Sequence, residues 1–131
     1  MRFLSIYKGA ESGPPSEKHM ADMMQLIEEE TTSGVLVLTE GCLPTALGAR
    51  VRLDNTKVTV TDGPFTEAKE VVGGFAILEV ASKAEAIEAA KRFLKVVGGG
   101  ECEVRQIYEQ GSTDFDPCLS GNEQAEANQR G

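Results

Sequence analysis

Apolar positions along this chain follow two periods, and the switches between them mark out the elements. Residues 2–7 place Phe3, Leu4, Ile6 and Tyr7 in a short run that reads as a first strand. Gly9, Gly13, Pro14 and Pro15 then make a loop. From residue 16 to about 30 the spacing turns helical, with Met20, Met23, Met24 and Ile27 predicted as a buried stripe and Ser16 as the cap. Gly34 supplies a C-terminal stop. Residues 35–38 are four aliphatics without polar alternation, which predicts a strand covered on both faces. Strict alternation returns at 49–53 and 58–61. Asp54-Asn55-Thr56-Lys57 joins these two runs as a β-hairpin. A further strand is predicted at 75–80. A second helix runs to about residue 97, opened by Ser82 and Glu85 in capping-box spacing. Its apolar face is read as Ala86, Ile87, Ala90, Phe93 and Leu94. Gly98-Gly99-Gly100 ends it, and residues 103–108 form the last strand.

The order is β, α, β, hairpin, β, α, β. Two βαβ units around one antiparallel sheet predict an α+β, ferredoxin-like domain with both helices on one face and the hairpin inserted between the halves. The sheet's other face must then be covered. Phe75 and Ile77 point away from Ala76 and Leu78, and an exposed apolar sheet face is a liability. A homodimer packed through the sheet is the expected cover. The domain spans 1–109. Residues 110–131 have Phe115 and Leu119 as their sizeable apolar side chains and read as an acidic, mobile tail.

With 131 residues and 40% hydrophobic content, the chain suits one domain with a real core. Net charge is −8, and residues 101–131 hold seven acids against two bases. No concentrated basic surface is present, so nucleic acid is not an expected partner. No apolar run approaches the ~20 residues of a membrane helix. The first residues lack the apolar stretch and cleavage site of a signal peptide. The expectation is a soluble cytoplasmic protein. Cys42, Cys102 and Cys118 are widely spaced, which fits reduced thiols and neither a zinc site nor a disulfide framework.

Candidate chemistry concentrates at 62–75, DGPFTEAKEVVGGF. Long connections inside small domains are commonly functional. Asp62-Gly63-Pro64-Phe65 is a turn signature. It also presents the Asp62 carboxylate at a strand end, with Phe65 available to pin the loop. Glu67, Lys69 and Glu70 form a charged cluster that either stays solvated or lines a pocket mouth. Gly73-Gly74 permits close backbone approach. Arg50 and Arg52 share one hairpin face and could meet a carboxylate or phosphate on a ligand; as an exposed strand face they would discourage edge pairing. His19 is the chain's one histidine, in the first turn of helix one. A helix N-terminus disfavours its charged form, which suits a neutral base. No nucleophile elbow, phosphate-binding loop or dinucleotide fingerprint occurs, so hydrolase, NTPase and dinucleotide chemistry lack support. No cofactor or metal is expected.

The 62–75 segment closely resembles the signature of the DGPF family within the YCII-related proteins. Asp62-Gly63-Pro64-Phe65, Glu67, Lys69, Glu70 and Gly73-Gly74-Phe75 fall in register, as do Gly41, Pro44, Thr45 and Glu103-Val104-Arg105. The resemblance implies a ferredoxin-like, dimeric α+β barrel type of protein. In the YCII branch a His opens the first helix, and a His–Asp pair is the proposed site. That implies His19 as base with Asp62, or secondarily Asp22, as its carboxylate. The expectation is a small organic ligand bound between helices and sheet. Turnover, if there is any, would be cofactor-free isomerase or lyase chemistry. The family's link to extracytoplasmic-type sigma factors implies a rival reading as a non-enzymatic interaction protein.

Overall fold

A computed structural model describes residues 1–9, 16–65 and 71–108. Strands β1 (Arg2–Lys8), β2 (Leu36–Gly41), β5 (Val72–Glu79) and β6 (Glu101–Gln106) form one antiparallel sheet in the order β2-β5-β1-β6. Strands β3 (Ala49–Asp54) and β4 (Lys57–Asp62) form a separate two-stranded ribbon. Helices α1 (Glu17–Thr32) and α2 (Lys83–Val97) complete the chain order. The architecture is ferredoxin-like α+β.

Both helices start where local chemistry sets them. The Ser16 hydroxyl accepts the His19 backbone N–H at 3.2 Å, and the Ser82 hydroxyl accepts that of Glu85 at 3.2 Å. The Glu85 carboxylate reaches back to the Ala81 N–H at 2.9 Å. Gly98 closes α2 in the left-handed region, at φ 92°.

Cross-strand register assigns the sheet faces. Phe3↔Leu78, Ser5↔Ala76 and Tyr7↔Gly74 face the helices, with Val104 and Cys102 on the same side. Phe3, Leu36, Leu78, Val80, Ala86 and Ala89 form the buried core there. The outer face carries Leu4, Ile6, Phe75 and Ile77, none of them fully buried.

Four expectations need correction. β2 is an edge strand with only Leu36 buried, while Val37 and Leu38 stay exposed, so its unbroken apolar run does not signal two-sided cover. Helix α1 buries no residue: Met20 and Met24 are exposed, and Met23, Leu26 and Ile27 face inward only partly covered. On α2 the buried stripe is Ala86, Ala89 and Ala90, whereas Ile87 is exposed. β5 begins at Val72, so Gly73 and Gly74 belong to the strand and not to the preceding connection.

Candidate functional site

Between α1, α2 and the inner sheet face lies a cavity of about 290 Å³. Its apolar walls include Met23, Leu26 and Ile27 from α1 and Ala89, Ala90 and Phe93 from α2. The gap explains why α1 has an inward stripe yet no buried residue. Small side chains on α2 leave the space unfilled. The polar groups on the wall are few: Ser5, Tyr7, Thr39 and Cys102, with Glu30 and Glu40 among the carboxylates.

Tyr7 closes one part of this space, and its surroundings fix its ring. The ring meets Phe93 edge-on at 5.3 Å between centroids and 76° between planes. The phenol donates to the Gly99 carbonyl at 3.1 Å. A β-carbon on Gly73 would lie 2.9 Å from the ring, and one on Gly100 would lie 2.5 Å from it. Two glycines thus leave the room that the aromatic occupies.

Cys102 pairs with Tyr7 across β1 and β6 and faces the cavity. Burial raises its thiol pKa, a hydrogen bond with Ser5 opposes part of that rise, and the Glu101 carboxylate adds to it. The thiol is therefore held neutral. Glu30, nearly covered at 12% side-chain exposure, accepts from Arg92 Nε at 2.9 Å. That pair ties α1 to α2 at the cavity wall.

The residues singled out in the sequence lie elsewhere. His19 is exposed in the first turn of α1, and Asp62 is exposed at the end of β4, opposite Ala49. Asp22 also lies in the first half of α1. None of the three borders the cavity. Arg50 stacks over the Phe65 ring at 4.0 Å, and Arg52 lies on the same ribbon face. Neither arginine borders the cavity. Glu67 and Lys69 lie outside the described residues, as does everything from 109 onward.

The Asp-Gly-Pro-Phe turn has a clear packing role. Gly63 donates to the Gly48 carbonyl at 3.0 Å, and the Phe65 N–H reaches Thr45 Oγ1 at 3.3 Å. A β-carbon on Gly63 would overlap the Thr45 carbonyl. The turn therefore locks the base of the ribbon onto the Thr45–Leu47 3-10 turn. Gly74 likewise lets β2 approach, since a β-carbon there would meet the Glu40 carbonyl at 2.7 Å.

Sequence reasoning placed the site between helices and sheet but missed its walls. Ser5 and Tyr7 on β1, Thr39 on β2 and Cys102 on β6 come to one cavity only through sheet pairing. Among the described residues no group of three or more His, Cys, Asp and Glu side chains is placed to hold a metal ion. Nor is any described helix long and apolar enough to cross a membrane.

Fold and cavity together define a small α+β domain with an apolar cavity between its helices and sheet. Residues 1–110 match the YCII-related domain, and the chain belongs to that family. It is 32% identical over 75 residues to the uncharacterized protein R00369 of Rhizobium meliloti (strain 1021). That match covers 57% of this chain and 60% of the relative's length. Among solved structures it is similar to the 5-chloro-2-hydroxyhydroquinone dehydrochlorinase TftG of Burkholderia phenoliruptrix AC1100, in complex with 2,5-dihydroxybenzoquinone. Identity there is 18%, coverage is 83% of this chain and 95% of that one, and the TM-score is 0.44.

Proposed function

We propose that this protein binds a small uncharged organic molecule in the cavity between its helices and sheet. The observation that carries this reading is the apolar space of about 290 Å³ with a few inward polar groups. Ligand pockets start near ~300 Å³. An apolar cavity of about 150 Å³ already holds benzene. A compound of one or two rings therefore fits the volume. The ionisable groups on the wall, Glu30, Glu40, Cys102 and Tyr7, are all acids. They disfavour an anion and suit a neutral ring with one or two hydrogen-bonding substituents.

Ala90 gives the test. It lies on the wall and is 7% exposed, so Ala90→Leu fills part of the space. Titrated with indole and with phenol, the wild-type protein should bind at least one, and the variant should bind it at least tenfold more weakly. Equal affinity in both proteins contradicts an internal site.

Finer assignments belong to the same proposal. The 62–75 residues favour the DGPF branch of the family. The outer sheet face, with Leu4, Ile6, Phe75 and Ile77 at its centre, favours a homodimer. Ion pairs Lys8–Glu103 at 3.0 Å and Arg2–Glu79 at 3.7 Å border it, the arrangement of an apolar interface core with a polar rim. Acid–base catalysis by His19 with Asp62 rests on the family resemblance alone. Neither residue borders the cavity, so that reading requires substrate at the exposed first turn of α1, and His19→Ala then removes turnover without weakening binding in the cavity. A cytoplasmic location and a sigma-factor partner likewise rest on sequence character.

A further inference from the structure

The β3–β4 ribbon is left uncovered among the described residues. Every residue from Ala49 to Asp54 and from Lys57 to Asp62 is exposed. Two-stranded ribbons uncovered on both faces are marginal in water. This one also sorts its side chains. Val51 pairs with Val60 and Leu53 with Val58, so four aliphatics adjoin on one face. Their exposures run from 60% to 71%. The opposite face carries Arg50, Arg52, Thr59 and Thr61. Such sorting is the pattern of a sheet that has one covered face and one wet face.

We infer that the aliphatic face of this ribbon is an arm that lies on a second copy of the chain. The inference rests on the homodimer reading above and specifies how that dimer completes itself. A stable interface takes about 800 Å² from each partner. On the outer sheet face Leu4, Ile6, Phe75 and Ile77 are already partly covered within the chain, so they offer only part of their surface to a partner. A valine or leucine offers roughly 60–120 Å² of apolar surface. Four at about two-thirds exposure thus add on the order of 200–300 Å² per copy. Under twofold symmetry that contribution counts twice. The ribbon's four aliphatics thus supply roughly a quarter to a third of what each copy needs, and the outer sheet face with its polar border is the adjoining surface that supplies the rest.

The test replaces the apolar face without unfolding the ribbon. Val51→Lys with Val60→Glu, and Leu53→Glu with Val58→Lys, put opposite charges across from one another, which keeps the strands paired. Mass in solution is followed by analytical ultracentrifugation across a dilution series. Hydrogen exchange of the ribbon amides is followed in parallel. The wild-type protein should be dimeric, with ribbon amides protected and that protection lost on dilution. The four-fold variant should dissociate at concentrations at least 100-fold higher, with the main sheet's amides still protected. A variant that dimerises as tightly as wild type overturns the arm and leaves the sheet-face dimer standing. Ribbon protection that does not change with dilution also overturns it, since the cover then comes from the chain's own remaining residues. A wild-type protein that is monomeric throughout overturns both the arm and the dimer.

Discussion

Tyr7 is held in place by what its neighbours lack. Gly73 and Gly100 leave room for its ring, and Gly99 accepts its hydroxyl. Gly100 also has φ 100°, which an L side chain resists. Gly100→Ala should therefore cost about 1–3 kcal/mol in urea unfolding, through overpacking and backbone strain together. It should also change the intensity of tyrosine emission, which is readable because the chain has no tryptophan and two tyrosines, Tyr7 and Tyr108. Tyr7→Phe, which loses one hydrogen bond, should cost about 1 kcal/mol. Cys102 gives a pH signature. Its folded pKa is raised by burial, so the folded state holds the thiol proton more tightly than the unfolded chain does. Its contribution to stability is complete below the ordinary thiol pKa of ~8.5 and is lost as pH rises through the higher folded value. Stability measured from pH 7 upward should fall less steeply in Cys102→Ala than in wild type. Neither residue was legible as a wall of the site. Tyr7 reads as a strand aromatic, and Cys102 is one of three scattered thiols. Only the Tyr7↔Cys102 and Tyr7↔Gly74 pairings bring them together.

Elements were legible where their signals are local. Ser16, Ser82 with Glu85, and Gly98 act within one helical turn, and each stands at the end that its chemistry predicts. Ser82→Ala should cost about 1 kcal/mol of stability in denaturant unfolding, and Ser16→Ala a comparable amount. Alternation likewise announced β3 and β4. What failed was the inference from apolarity to cover. Residues 35–38 look like a central strand, yet β2 pairs on one side only, with β5. Met20 and Met24 fit the helical period but lie off the inward line of Met23, Ile27 and Glu30. Periodicity gives the direction of a face. Its burial depends on what the rest of the chain places opposite. The 62–75 segment shows the same division. Gly63 and Phe65 serve the ribbon base, while Gly73 and Gly74 serve the cavity and the β2–β5 approach.

At the scale of the whole molecule, the cavity is a consequence of mismatched faces. α2 brings alanines to the sheet, and the inner face opposite carries Ser5 and Ala76. Too little side-chain volume remains to fill the space under α1. The sequence reading located a cleft between helices and sheet because the fold class puts one there. The walls were not legible, because they come from six elements that are distant in the chain. The sequence reading looked instead to His19 and Asp62, which carry recognisable chemistry but stand outside the cavity. The measurement that decides between these two places is protein-detected NMR during titration with indole and phenol. Binding in the cavity predicts the largest shift changes at Tyr7, Ala89, Ala90 and Phe93, with His19 and Asp62 scarcely moved. Changes centred on His19 and Asp62, or no saturable change with either compound, would contradict the account.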